Sequence, residues 1–108
     1  LNSKHFGSWE LYRKGNNGIL EFRKINSVFD NKSKNFIVLR HKNNEFDDFL
    51  LYKNSDGKLN SIKAQFRVIG NEIHVYFEDS YKDVILRIKK NDGNVLEVID
   101  NTNGLGLR

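Results

Sequence analysis

Alternation across residues 62–99 restricts what this chain can fold into more than any other feature. The segment reads Ile62-Lys63-Ala64-Gln65-Phe66-Arg67-Val68, then Ile73-His74-Val75-Tyr76-Phe77, Val84-Ile85-Leu86-Arg87-Ile88 and Val95-Leu96-Glu97-Val98-Ile99. Apolar residues at every second position mark strands with one buried face. Gly70-Asn71, residues 79–83 and Asp92-Gly93 separate the runs, each a turn-forming sequence. Asp92-Gly93 is the strongest hairpin signal, because a type I′ turn requires positive φ at both central positions. Four consecutive strands on short turns predict an antiparallel meander.

The first half extends the pattern less regularly. Residues 1–6 carry no periodicity and are expected to form a tail, leaving 7–108 as a single β domain. Strands are predicted at 7–12, 19–25, 36–42, 46–53 and 59–68, and a short closing strand at 104–108. Asn16-Asn17-Gly18 and Asn54-Ser55-Asp56-Gly57 supply turns between them. The run Phe36-Ile37-Val38-Leu39 is apolar on both faces, which predicts deeper burial or contact with a neighbouring element. About eight short strands are most simply satisfied by closing the sheet, which removes its edges. The expected fold is therefore all-β, an up-and-down antiparallel meander closed into a small barrel. A two-sheet sandwich is the competing architecture, disfavoured because it usually needs Greek-key crossovers.

Composition removes several function classes. The chain of 108 residues has no Cys, which excludes disulfides, thiolate metal sites and cysteine nucleophiles. Its longest apolar runs are about four residues, far short of the ~20 that a membrane-spanning helix needs. The formal charge is +4, but the basic residues are scattered and interleaved with acids, unlike a nucleic-acid-binding stripe. The histidines His5, His41 and His74 lie far apart in sequence, and no nucleophile or acid–base set accompanies them. Carboxylates cluster at Glu45-Asp47-Asp48 and Glu78-Asp79-Asp83, where a hard cation could bind but solvated turns are the preferred reading. Asn54-Ser55-Asp56-Gly57 lacks the distal Glu of a calcium loop. No enzyme activity, metal or cofactor is expected. Asn31-Lys32-Ser33 is formally a glycosylation sequon.

Gly7-Ser8-Trp9 at the head of the first strand resembles the Gly-x-Trp signature of the lipocalin (calycin) superfamily. The meander, the Asp-Gly hairpin and a closing segment ending in a basic residue are similar to bacterial lipocalin-like domains. The resemblance implies a barrel whose closed end holds Trp9 under an arginine, which by position is Arg108. It also implies an interior that takes a small ligand.

Register places Leu20, Phe22, Phe49, Leu51, Phe66 and Phe77 on the inward face, and these are the expected ligand-binding residues. The expectation is a non-enzymatic barrel binding a small hydrophobic or amphipathic molecule. The alternative is a filled-core module contacting another protein or a component of the cell envelope. Absence of Met at position 1 means that a leader was removed or that the sequence was trimmed, and the first of these predicts an extracytoplasmic location.

Overall fold

In the computed structural model, which describes residues 4–27, 34–79 and 82–108, eight strands form a closed antiparallel barrel. They are β1 (Gly7–Lys14), β2 (Ile19–Ile25), β3 (Phe36–Arg40), β4 (Asp47–Ser55), β5 (Lys58–Ile69), β6 (Glu72–Phe77), β7 (Lys82–Asn91) and β8 (Val95–Ile99). From β3 to β8 each strand pairs with the next, and β8 closes onto β2. The remaining strand, β1, lies between β2 and β3, so sequential order is exchanged there. The expected all-β barrel is present, and the sequon and most of the β2–β3 connection fall outside the described residues.

Residues directly opposite in a ladder share a face, and this fixes the interior. Leu11 faces Phe22 across β1–β2, Phe22 faces Leu96, Leu39 faces Phe49, and Phe66 faces Val75. These side chains are fully or almost fully buried and join one apolar cluster with Trp9, Ile37, Ala64, Leu86 and Val98. At the waist, the Phe49 ring packs edge-on against Phe66 at 6.2 Å and Phe77 at 6.4 Å. The waist is filled by side chains. A second, smaller cluster on the outer face holds Phe36 and Val38 with Ile25, Leu50, Tyr52 and Leu59, the two-sided burial expected of β3.

Turn chemistry departs from expectation in one instructive respect. Asp56 (φ 52°) and Gly57 (φ 80°) both adopt positive φ in the two-residue loop between Ser55 and Lys58, as type I′ geometry requires. At Asp92-Gly93 only Gly93 does (φ 90°), and Asp92 Oδ1 instead accepts the backbone N–H groups of Asn94 and Val95. The loop closing Asn91 onto Leu96 is longer than two residues, so an aspartate-capped turn replaces type I′.

The closing strand at 104–108 does not form. Asp100, almost fully buried, accepts the Gly104 N–H at Oδ1 and the Leu105 N–H at Oδ2, both at 2.9 Å. Positive φ at Asn103 and Gly106 curls the chain after this clamp. Leu105 and Leu107 are buried as a plug over one barrel end. Gly104 fits there because a Cβ would lie 2.6 Å from a methyl of Val84.

Candidate functional site

The two barrel ends are built differently because β5 extends beyond its neighbours. Ile62 pairs with Leu51 on β4 but has no partner on β6, whose ladder with β5 starts at Ala64. Val68 pairs with Ile73 on β6 but has none on β4, whose ladder ends at Phe66. Each inward-facing side chain is therefore left partly in the open, Ile62 at 42% and Val68 at 37% exposure.

Around Ile62 lies a cleft of about 400 Å³, floored by Leu51, Ile62, Phe77 and Leu105 and crossed by Gly104. Its polar lining is Lys53, Lys63, Lys82 and Asp79, three cations against one anion. Lys53 follows Leu51 by two residues on β4, and Lys82 is paired directly with Phe77. Both lysines thus belong to the inward face, on the last rung where their stems cover apolar surface and their ammonium groups reach water. Among the described residues, no carboxylate lies within ion-pair distance of Lys53, Lys63 or Lys82. Inward lysines over an apolar floor make this end, the lysine mouth, complementary to an amphipathic anion.

The opposite end, the histidine mouth, opens onto a cleft of about 810 Å³ lined by His5, Phe6, His41, residues 43–45, Asp47, Phe66, Arg67, Val68 and Gly70. His41 Nδ1 lies 2.9 Å from Asp47 Oδ1, which also accepts the Lys42 N–H. Asn43 Oδ1 accepts the N–H groups of Glu45 and Phe46, so the β3–β4 loop is held by its own side chains. Among the described residues no group of three or more His, Cys, Asp or Glu is arranged to hold a metal ion.

The expected ligand-binding residues separate into three places. Leu51 and Phe77 floor the lysine mouth and Phe66 lies beneath the histidine mouth, whereas Leu20, Phe22 and Phe49 belong to the packed interior. The Trp9–Arg108 contact implied by the resemblance does not form. Lys24, directly opposite Trp9 in the β1–β2 ladder, places its Nζ 4.7 Å from the indole centroid. Arg108 instead donates to the carbonyls of Asp100 and Asn101, beside Gly18 at the other end of β2. At ~3.3 Å per residue the length of β2 separates the two sites. Sequence reasoning missed Lys53 and Lys82 as site residues. The signal was present, since both interrupt the inward alternation at a strand end.

No protein-family model, curated protein or solved structure matches this chain.

Proposed function

We propose that this is a non-enzymatic, lipocalin-like barrel that binds a small amphipathic anion at the lysine mouth. The apolar body of the ligand rests on Leu51, Ile62, Phe77 and Leu105, and its acidic head meets Lys53 and Lys82. The supporting observation is the pairing of an apolar cleft floor, open to water chiefly at Ile62, with inward-facing lysines that have no carboxylate partner among the described residues. A cleft of this size falls within the roughly 300–1,000 Å³ range of small-molecule sites, which are mostly apolar with a few placed polar groups. The packed waist restricts the ligand to the mouth, so a short chain fits and a long one does not.

Isothermal titration with chain-matched decanoate, decanol and decylammonium tests this reading. Decanoate is expected to bind best and decylammonium worst. A Lys53→Met/Lys82→Met variant should weaken decanoate by about tenfold or more, since hydrogen bonds to charged groups contribute ~1.5–3 kcal/mol, while decanol is unchanged. Failure of all three to bind would reject the site; equal binding of all three would reject the role of the lysines.

A further inference from the structure

Residues 4–6, just ahead of β1, cross the histidine mouth and fill part of it. Trp9 Nε1 donates to the His5 carbonyl at 2.9 Å in a buried bond. The His5 ring lies 4.3 Å from Phe6 and meets Phe66 edge-on at 5.8 Å. Phe6 in turn packs edge-on against His41 at 5.7 Å and Phe66 at 6.3 Å. Lys24 Nζ lies 3.5 Å from the Lys4 carbonyl. Phe6 therefore occupies, from within the chain, apolar space above Phe66 and beside the half-open Val68.

Two imidazoles flank Phe6, and one carboxylate serves both. His41 pairs with Asp47, and the same Asp47 is the acidic neighbour of His5. Among the described residues, the other charges around this mouth are Lys24 on β2, Arg67 on β5, Glu45 in the β3–β4 loop and Lys4 in the crossing segment itself. With neutral imidazoles, three cations face two carboxylates. Protonating both rings makes that five against two. Burial holds the His5 imidazole below its ordinary value, with Asp47 opposing and Lys24 reinforcing that effect. The closed arrangement therefore holds the neutral ring and is weakened by the charged one.

We propose that His5 and Phe6 form an acid-released plug over a second apolar site, one that takes a small uncharged apolar molecule on Phe66 and Val68. This site is separate from the lysine mouth, and the inference stands whether or not that mouth binds an anion. Release requires that residues 4–6 lift away, and no ladder pairing involves them. In lifting, His5 carries its charge into water, and the Trp9 indole loses its acceptor.

Trp9 is the only tryptophan in the chain and so reports the event directly. Its emission and the binding of the neutral dye Nile red are followed from about pH 8 to about pH 5, the range in which imidazoles titrate. Far-UV circular dichroism is recorded alongside. The expected result is a red shift of Trp9 emission and a gain in dye binding on acidification, with the β signal unchanged. His5→Phe fills the cage without titrating and should abolish both changes. Phe6→Ala should bind the dye already at about pH 8. The proposal is overturned if His5→Phe responds like the native chain, if the changes track loss of the β signal, or if Phe6→Ala shows no gain.

Discussion

Glu21 shows how much a single side chain can depend on where its strand neighbours fall. It is 5% exposed on the outer face of β2, where Arg13 approaches at 2.7 Å and Arg23 at 3.1 Å. Arg23 is itself held over the Tyr12 ring at 3.8 Å. Burial alone would raise the Glu21 carboxyl, but hydrogen bonds and charge from Arg23 and Arg13 outweigh it and hold the group below its ordinary range. A depressed carboxylate contributes stability that is present above the unfolded value of about 4.5 and lost as pH falls through the folded value. Urea midpoints measured across that acidic range should therefore fall less steeply for Glu21→Gln than for the native chain. Alternation alone reveals that Glu21 and Arg23 face outward. It does not reveal Arg13 as a partner, because a register shift between Leu11 and Arg13 sets Arg13 opposite Glu21. Such a bulge at Tyr12, with no glycine at the bulge itself, leaves no trace in the sequence.

At the scale of elements, the strands were legible and the segments that cap the barrel were not. The interior strands are recoverable because one buried face imposes a period of two, and β2 and β8 match their expected limits residue for residue. The closing segment misleads for the same reason, since Leu105 and Leu107 alternate as a strand would. What decides its shape is Asp100, whose carboxylate binds two backbone N–H groups of the following turn. Asp100 also donates its own N–H to the Gly18 carbonyl, tying the cap to the β1–β2 connection. Asp100→Ala leaves both N–H groups without their acceptor, at a cost of ~1–3 kcal/mol for each that stays buried. The expected loss in chemical denaturation is about 2 kcal/mol or more, partly recovered in Asp100→Asn, which keeps one acceptor oxygen. A loss below about 0.5 kcal/mol would mean the curl is set by Asn103 and Gly106 instead. At the other end, His5 and Phe6 carry no periodic signal at all, since their burial depends on the mouth they cross.

For the whole molecule, the question left open by the sequence was whether a barrel this small is hollow or filled. The same ten or so apolar residues serve either state, so composition and alternation are silent on it. The structure places the division along the axis: Phe22, Phe49, Ala64, Val75 and Leu96 pack the waist, while Ile62 and Val68 stand half-open at opposite ends because β5 outruns its neighbours. Closed pairing around the ring distributes stability over all eight strands and leaves the mouths free to vary without breaking the ladder. This separation has a measurable consequence. Phe49→Ala removes a ring that Phe66 and Phe77 enclose, so the loss of burial and the cavity left behind should cost ~3–5 kcal/mol. Ile62→Ala removes a side chain that already faces water and has no β6 neighbour to collapse on, so its cost should stay near ~1 kcal/mol or below. Urea denaturation of the two variants compares waist and mouth directly. A hollow barrel gives the opposite pattern for Phe49, since a side chain lining a solvent-filled cavity is cheap to truncate, and similar small losses at both positions would return the ligand to the interior.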